Sequence, residues 1–412
     1  MHSALPRAAA ALLAACATIH PATLAAQSVR DSAGARVVTN TRPTWSAAQR
    51  LRLSSRPTLV IGDRAGDPYE FTAISGAFFL SDGRILVADG GSNELRMFSA
   101  NGTHVQSFGR RGDGPGEFRR LHSVQRLAGD TIAVLHEMSS LSRFTSGGTY
   151  LSRTNELTSG MIKPGAVIKS VQLALNGSAR LVISMPWDPP TQGAGVEFDA
   201  RALHEVVSGT AAATRSLGEL PVMRASANAD GASKPWLGAE AVYASDGSRF
   251  CRGYGTSYTL TCYTAAGVTT LIIRRAWQPP NVSRQQFVQF TDAWLSRWSK
   301  ATGAARDDAR REQLDMPYFK TLPAFSALLL DRVGRLWART PASIDAAVAG
   351  SLNDYAIGAS LWSVFDARGV WLGDVTMPAR FSPLDVGADY VLGVMRDDDG
   401  VQTVVRYSLG AV

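Results

Sequence analysis

Short alternations of apolar and polar residues, each closed by a tight turn, recur along most of the chain. Residues 80–87 (LSDGRILV) place an Asp-Gly turn between two such alternations, which is typical of a β-hairpin. A second kind of turn, in which an aromatic residue stands four positions before a glycine, recurs at residues 98–102, 144–148, 263–267 and 365–369. The pattern predicts an all-β chain built from antiparallel hairpins.

A ten-residue stretch occurs twice in register, as GDRAGDPYEF at residues 62–71 and as GRRGDGPGEF at residues 109–118, 47 positions later. The apolar positions downstream recur at the same spacing, with Ile74, Ile85 and Val87 followed by Leu121, Ile132 and Val134. Glu70 and Glu117 follow the repeat too, and we expect them to bind backbone amides of the loops. A fixed period of this length indicates propeller blades or solenoid units.

Four-stranded units can be drawn along the whole chain, at residues 74–110, 121–157, 166–218, 239–275 and 323–377. A last unit, at residues 384–408, has three predicted strands. Residues 58–61 (TLVI) precede the first ten-residue stretch as residues 105–108 (VQSF) precede the second, so we expect them to supply the missing outer strand. This pairing would remove two exposed sheet edges. We predict a six-bladed β-propeller of four-stranded antiparallel blades over residues 57–412, after a lead-in segment at residues 27–56.

Residues 86–102 (LVADGGSNELRMFSANG), together with the G-x-G-P-G-E-F loop at residues 112–118, resemble the NHL-type repeat of six-bladed β-propellers. The resemblance is closest over residues 62–154. In NHL-like repeats the aspartate at the position of Asp89 holds a turn, so the resemblance implies a structural role for this residue. The second repeat has His136 at that position, and the same argument speaks against a ligand role for His136.

The longest segment between two predicted blades, residues 276–322, carries a helical pattern. Ser283 and Gln286 have the spacing of a capping box. The aromatic residues that follow fall on one face of the predicted helix: Phe287, Phe290, Trp294 and Trp298. A second short helix is expected near residues 304–314. We expect the aromatic stripe to pack on the propeller rim between blades 4 and 5, with a lid beside the channel mouth as the alternative.

Residues 1–26 have the pattern of an export signal, because Arg7 supplies a positive charge, residues 8–19 are apolar and residues 24–26 (LAA) offer small residues for cleavage. The apolar run is too short to span a bilayer. The sequence LAAC that ends at Cys16 also resembles a bacterial lipobox, in which the cysteine would become lipidated. Both interpretations predict a secreted protein, periplasmic or extracellular, and the second adds a lipid anchor.

The other two cysteines, Cys251 and Cys262, lie opposite each other in any symmetric hairpin that is centred between Thr256 and Ser257. Cross-strand neighbours are about 4.5 to 5.5 Å apart at Cα, within the range of a disulfide. An oxidising compartment favours the bond. We therefore predict a Cys251–Cys262 disulfide, with two buried free thiols as the alternative.

The formal net charge is +7, but acidic residues are interleaved with the basic ones and no basic stripe is visible. Nucleic-acid binding is not expected, because it requires clustered cations. Signatures of nucleophilic, zinc-protease and phosphate-loop sites are also missing from the sequence. The composition therefore excludes several function classes without selecting one.

Loops that join one blade to the next share one face of a propeller, and here that face carries the candidate binding residues: Arg111, Arg119, Arg120 and His122, with Trp294 and Asp385. We predict a monomeric binding or scaffold module for a protein, peptide or glycan, with no metal or other cofactor. The alternative is a hydrolase or lyase with a divalent cation such as Ca²⁺ in the channel. Calcium needs six to eight oxygen ligands, whereas His122 and Asp385 are the polar candidates near the starts of predicted inner strands. The binding module is therefore favoured.

Overall fold

Six antiparallel sheets follow one another along the chain and form the blades of a β-propeller. The computed structural model describes residues 26–155, 167–186, 197–209, 213–228, 231–233, 237–298, 300, 302–316, 318–345 and 359–411. The predicted leader, including Cys16, lies outside the described residues except for Ala26. The six-bladed fold predicted from the repeat is confirmed.

Each blade contributes its strands in chain order, starting from the inner strand. Blade 1 contains β5 (Ile74–Phe79), β6 (Ile85–Asp89), β7 (Glu94–Phe98) and β8 (His104–Phe108), after β1 (Gln27–Ser32), β2 (Ala35–Asn40), β3 (Leu51–Leu53) and β4 (Leu59–Ile61). Blade 2 contains β9 (Leu121–Arg126), β10 (Ile132–His136), β11 (Ser140–Phe144) and β12 (Tyr150–Asn155). Blade 3 contains β13 (Val167–Ala174), β14 (Arg180–Pro186), β15 (Glu197–Ser208), β16 (Ala213–Asn228) and the short β17 (Gly231–Ser233).

The second half of the ring is interrupted by two helices. Blade 4 contains β18 (Ala241–Ser245), β19 (Arg249–Tyr254), β20 (Thr259–Thr264) and β21 (Thr269–Arg275), and the helices α1 (Arg284–Trp298) and α2 (Ala304–Asp315) follow. Blade 5 contains β22 (Ala327–Leu330), β23 (Leu336–Arg339), β24 (Ser360–Phe365) and β25 (Trp371–Met377). Blade 6 contains β26 (Phe381–Val386), β27 (Tyr390–Arg396) and β28 (Gln402–Ala411). Two 3₁₀ turns, Ala47–Gln49 and Ala128–Asp130, complete the described elements.

The core lies between the blades, because side chains alternate along each strand and each blade therefore packs against both neighbours. In blade 1, Leu86 and Met97 belong to the apolar cluster shared with blade 2. Ile85 and Phe98 point the other way, into the cluster shared with blade 6. This burial on both faces explains why four consecutive residues of the second strand, Ile85 to Ala88, are apolar.

The ring is closed by the beginning of the chain. Strand β28 of blade 6 pairs antiparallel with β4, with Val405 opposite Val60, and its last residues pair with β3. The inner strand β5 also contacts the inner strand β26 of blade 6. The predicted closure by residues 58–61 is therefore confirmed, and no unpaired edge is left between the first and last blades.

Residues 27–61 form an N-terminal belt around the outside of blades 4, 5 and 6. Strand β2 pairs in parallel with β21, which adds the β1–β2 hairpin to blade 4. The buried side chain of Asn40 then ties blade 4 to blade 5, because its amide donates to Arg274 O (3.2 Å) and its carbonyl accepts the Trp371 N–H (2.9 Å). The segment expected to be a simple lead-in thus contributes strands to two blades. Local sequence could not reveal this pairing, because the partner strand is more than 200 residues away.

The two faces of the ring carry different connections. We call the face with the interblade loops and the turns between second and third strands the upper face. The lower face carries the turns between first and second and between third and fourth strands. Among the described residues, no helix is both long and apolar enough to cross a membrane.

The disulfide predicted from the hairpin register is present. Cys251 on β19 lies directly opposite Cys262 on β20, with the two Cα atoms 4.0 Å apart. Both residues are buried in the apolar cluster between blades 4 and 5, together with Leu260 and Phe325. The bond therefore links the second and third strands of blade 4 inside the core.

Candidate functional site

The interblade loop at residues 109–118 is shaped by the carboxylate of Glu117. This carboxylate accepts the Gly114 N–H (2.9 Å) and the Arg110 Nε–H (2.6 Å). The approach leaves no room for a side chain at Gly112, where an added Cβ would lie 2.1 Å from Glu117 Oε2. In the first repeat, Glu70 accepts the Gly66 N–H (2.8 Å) in the same way. The expectation that both glutamates bind loop amides is confirmed.

The folded loop brings most of the predicted binding residues together at the upper end of blade 2. Arg111, Arg120 and His122 are exposed there. Their side chains have no hydrogen-bonded or ion-paired partner within the described structure. Two neighbouring cations do have acidic partners, because Arg119 pairs with Asp113, and Arg153 donates to Glu137 (3.2 Å). We call this group the blade 2 corner, and its members are Arg111, Arg119, Arg120, His122, Arg153, Asp113 and Glu137.

The equivalent corner of blade 1 is closed by a buried carboxylate. Asp89 is 0 % exposed and accepts the N–H groups of Thr72 (3.1 Å), Ala73 (2.9 Å) and Gly91 (3.0 Å). Its partner Arg96 lies 3.7 Å away and also donates to two loop carbonyls, Pro68 O (2.9 Å) and Glu70 O (2.6 Å). Asp89 therefore holds the turn, as the resemblance to NHL repeats implied. Both of its carboxylate oxygens already accept hydrogen bonds from the loop.

His136 occupies the position of Asp89 in blade 2 but makes a neutral contact. Its Nε2 lies 2.9 Å from Ser142 Oγ, while its Nδ1 is buried with no hydrogen-bond partner. The side chain is 1 % exposed and packs edge-on against Phe118 at 5.1 Å. Burial, followed by the positive charges of Arg153 and His122, lowers the pKa of His136 to about 4. At neutral pH blade 2 therefore has a neutral imidazole at the position where blade 1 has an anion.

The helical insertion packs through its aromatic residues, as their spacing in the sequence predicted. The capping box is formed, because the Gln286 N–H donates to Ser283 Oγ (3.2 Å) and the Ser283 N–H donates to Gln286 Oε1 (3.1 Å). Phe287 and Phe290 are buried in a small core with Ile344, which lies on the upper loop of blade 5. Phe287 also stacks on Tyr318, with ring centroids 4.1 Å apart.

Trp294 is half-buried on α1, on the upper side of blades 4 and 5. Trp294 belongs to the insertion between blades 4 and 5, whereas the blade 2 corner is built around the loop that precedes blade 2. The side chain of Trp298 lies outside the described residues. The stripe is thus mainly a packing surface, and a lid function for the insertion is not needed to explain it.

Asp385 was expected at the upper face, and this expectation is wrong. Strand β26 begins at Phe381 rather than at 384, so Asp385 is its next-to-last residue and lies near the lower face. Its carboxylate accepts hydrogen bonds from three neighbours: Arg332 (2.7 and 2.8 Å), the Phe79 N–H (2.9 Å) and the Tyr390 hydroxyl (3.0 Å). The strand start was obscured by Pro383, which is tolerated because it lies at a register shift.

Sequence reasoning missed a polar cluster between blades 3 and 4. Asp199 accepts hydrogen bonds from the Tyr254 hydroxyl (2.7 Å) and from Arg224 Nη1 (3.1 Å). Burial and the neighbouring Asp199 raise the pKa of Tyr254 above its ordinary value. These residues are separated by up to 55 positions in the chain and carry no shared motif, so no sequence signal pointed to them.

The buried His204 of blade 3 and the half-buried Tyr243 of blade 4 form a second polar contact between these blades. His204 Nε2 lies 2.7 Å from the Tyr243 hydroxyl, and burial lowers the pKa of His204 to about 4. His204 lies on the third strand of blade 3 and is fully buried. In the described parts of the chain, no group of three His, Cys, Asp or Glu side chains is placed to hold a metal ion.

Comparison with known proteins agrees on the fold. A family model described as a 6-bladed beta-propeller matches residues 69–156, which span most of blades 1 and 2. No curated protein sequence matches the chain. The match is thus to the region in which the repeat is clearest, and the NHL type itself is not confirmed.

Several solved structures align with the chain at low sequence identity. A member of the DUF4221 family from Bacteroides vulgatus aligns with a TM-score of 0.53 at 10% identity, over 89% of this chain and 100% of that chain. A putative exported protein from Bacteroides fragilis aligns with a TM-score of 0.46 at 11% identity, over 91% and 99%. A gluconolactonase from Xanthomonas campestris aligns with a TM-score of 0.40 at 11% identity, over 89% and 98%. At such identities the likeness to the first structure concerns the fold alone.

Proposed function

We propose that this chain is an exported binding module whose blade 2 corner recognises a ligand that presents carboxylate groups, carried by a protein, a peptide or a glycan. The observation that supports the proposal most directly is the exposure of Arg111, Arg120 and His122 without acidic partners. Guanidinium groups match the planar geometry of carboxylates and can bind them through two parallel hydrogen bonds.

The geometry of the corner favours binding over a purely structural role. Glu117 and Phe118 hold the loop rigidly, so the arginines beside them are presented from a fixed backbone. A rigid presentation lowers the entropy that is lost on binding. Arg119 and Arg153 form ion pairs with Asp113 and Glu137, the two acidic residues of the corner. The free charge at this corner is therefore positive.

Export is part of the proposal and rests on two features. The first 26 residues read as a leader, and the buried Cys251–Cys262 disulfide suits an oxidising compartment. Mass spectrometry of the protein secreted by a bacterial host tests this directly. Cleavage near Ala26 supports free export, and a lipid on Cys16 supports the anchored form. An unprocessed protein in the cytosolic fraction would contradict export.

The binding proposal is tested with an acidic probe. Biotinylated poly-L-glutamate on a biosensor should capture the mature protein, and alginate provides the corresponding glycan probe. The double variant Arg111→Ser, Arg120→Ser removes two exposed guanidinium groups, and we expect roughly 10-fold weaker capture. Capture should also weaken as salt is added, since exposed charges are screened.

A matched control removes two exposed arginines elsewhere. Arg311→Ser, Arg368→Ser changes the net charge by the same amount, but Arg311 lies on α2 and Arg368 on a lower-face turn of blade 5. We expect its capture to equal that of wild type. Equal weakening in both double variants would assign the effect to net charge and reject a site at the blade 2 corner.

A further inference from the structure

Strand β1 is the outermost strand of blade 4 and has a neighbour on one side. Its sheet follows the order β18, β19, β20, β21, β2 and β1, so among the described residues β1 pairs with β2 alone. Every residue of the strand after Gln27 is exposed. Because successive side chains point to opposite sides of a sheet, β1 projects from the propeller rim with both faces and one edge open to solvent.

The hairpin turn shows which residues of β1 bond to β2. Ala33 and Gly34 both have positive φ, 49° and 79°, and they form a two-residue turn that is closed by the pair Ser32 and Ala35. In such a hairpin the closing pair is hydrogen-bonded, and hydrogen-bonded pairs then alternate with other pairs along the ladder. The residues of β1 that bond to β2 are therefore the even-numbered ones.

The other residues of β1 direct their backbone groups outward. The alternation holds at the far end of the ladder, where the Thr41 N–H donates to Ala26 O (3.0 Å). The N–H and C=O groups of Gln27, Val29 and Asp31 thus point away from β2. Within the described chain no strand lies on that side of β1. Each of the three residues offers one free donor and one free acceptor.

Outer strands of other blades have protected edges. Strands β8 and β12 each carry a β-bulge, because their pairing shifts by one residue at Val105 and at Leu151. A bulge twists an edge strand away from a possible partner strand. In blade 5 the belt covers β25, where the Trp45 N–H donates to Leu372 O (2.7 Å). Strand β1 has neither protection, since its register with β2 is unbroken over its six residues.

We propose that β1 pairs antiparallel with β1 of a second copy, so that two chains form a symmetric dimer through blade 4. The outward-facing residues are evenly spaced about Val29, so a pairing centred on Val29 matches every free donor with a free acceptor. A twofold axis at this point makes both contributions identical. The proposal replaces the monomer expected from the sequence and is independent of the blade 2 corner, which lies in another blade.

The side chains of β1 suit this register. Val29 is 45 % exposed, and its two copies meet at the axis. Gln27 faces Asp31 of the second copy, where an amide N–H can donate to a carboxylate, and symmetry repeats the pair. On the opposite side of the sheet, Arg30 faces Ser28 of the second copy. No like charges are directly opposite in this register, and the small contact area predicts a reversible dimer.

The test is sedimentation velocity of the mature protein over a series of protein concentrations. We expect a shift from monomer to dimer as the concentration rises. Val29→Pro removes the outward N–H and leaves every bond between β1 and β2 in place. The dimer then loses two interchain hydrogen bonds and should be weakened about 10-fold or more. Proline is tolerated on an edge strand, so the Tm of the variant at low concentration should equal that of wild type.

Two charge variants test the register itself. Val29→Lys places two ammonium groups opposite each other at the axis, and Val29→Glu places two carboxylates there, so each variant alone should be monomeric. An equimolar mixture should recover the dimer, because lysine then faces glutamate. Val401→Lys is the matched control, since Val401 is 54 % exposed on the upper turn of blade 6, and this variant should dimerise like wild type.

The proposal is overturned if wild type sediments as a monomer at every concentration, or if Val29→Lys alone dimerises as well as wild type. Failure of the mixture to recover the dimer would reject the antiparallel pairing centred on Val29. Equal loss of dimer in Val401→Lys would assign the effect to net charge and would also reject the β1 contact.

Discussion

Blades 1 and 2 have equivalent strands, but they differ in the side chains at one buried corner. Val87 and Val134 are equivalent in the repeat, and their cross-strand partners are Arg96 and Ser142. Blade 1 therefore pairs Asp89 with an arginine, whereas blade 2 pairs His136 with a serine. Both members of the charged pair in blade 1 thus have neutral counterparts in blade 2.

The difference shows that side chains at one corner can serve the fold in one copy of a repeat and be exposed to solvent in the next. In blade 1 the Asp89 carboxylate binds the loop amides and the Arg96 guanidinium binds the loop carbonyls, so the corner is self-contained. At the equivalent position of blade 2 the buried residue is the neutral His136, and the neighbouring cations at Arg111 and Arg120 face solvent. The same loop is thus a structural clamp in one blade and a candidate binding surface in the next.

Removing the anion of blade 1 should have the largest effect on this comparison. Asp89→Ala leaves three N–H groups without their acceptor and removes one of the carboxylates that pair with Arg96. We expect a loss of roughly 3 kcal/mol or more in the free energy of unfolding, measured by denaturant titration. Asp82→Ala, at a half-exposed turn aspartate, should cost less than about 1 kcal/mol. Similar losses in the two variants would show that burial of Asp89 is unimportant.

Acid should weaken the blade 2 corner through His136. Its pKa in the folded protein, about 4, is below the ordinary value of 6.5. Between these values the unfolded chain binds one more proton at this residue than the folded protein does, so stability falls as the pH drops from 6.5 towards 4. We expect His136 to account for about 2 to 3 kcal/mol of this loss.

The comparison protein for this measurement is His136→Gln. It keeps a neutral polar side chain but cannot gain a proton, so its stability should fall less than that of wild type between pH 7 and pH 4.5. His204 is present in both proteins and has the same depressed pKa, so its contribution cancels in the difference. Identical pH profiles for the two proteins would show that His136 is not the titrating group.

A double-mutant cycle tests the comparison between the two blades, and its expected effect on stability is smaller. His136→Asp with Ser142→Arg rebuilds the blade 1 pair in blade 2, where the loop positions of Pro68 and Glu70 recur as Pro115 and Glu117. Each single variant buries an unpaired charge, and the pair should recover at least about 1 kcal/mol relative to the sum of the singles. A coupling energy near zero in denaturant titrations would mean that the two corners differ in backbone geometry too.

Local repetition explains how much of this fold could be predicted. The 47-residue period, the Asp-Gly turns and the Cys251–Cys262 register are properties of neighbouring residues, so the blades and the disulfide followed from sequence. The contacts of the belt could not be predicted, because the parallel pairing of β2 with β21 leaves no local pattern.

The candidate site was predicted only in part, for a similar reason. Arg111, Arg119, Arg120 and His122 are neighbours in sequence, so a single loop placed them together. Asp385 was misplaced because one proline hid the start of its strand. Asp199 and Tyr254 come from different blades and meet only in the folded protein, so no linear motif records their hydrogen bond.

The N-terminal belt has a consequence for the order of assembly. A chain is made from its first residue, yet β2 requires β21 as its partner, and β3 and β4 require β28, which ends at Ala411. Strand β2 can therefore dock only after blade 4 has been synthesised, and β3 and β4 only after the last strand of blade 6. Release of a truncated chain would leave the belt without its final partner strand. Docking of β3 and β4 is thus possible only in chains that extend through blade 6.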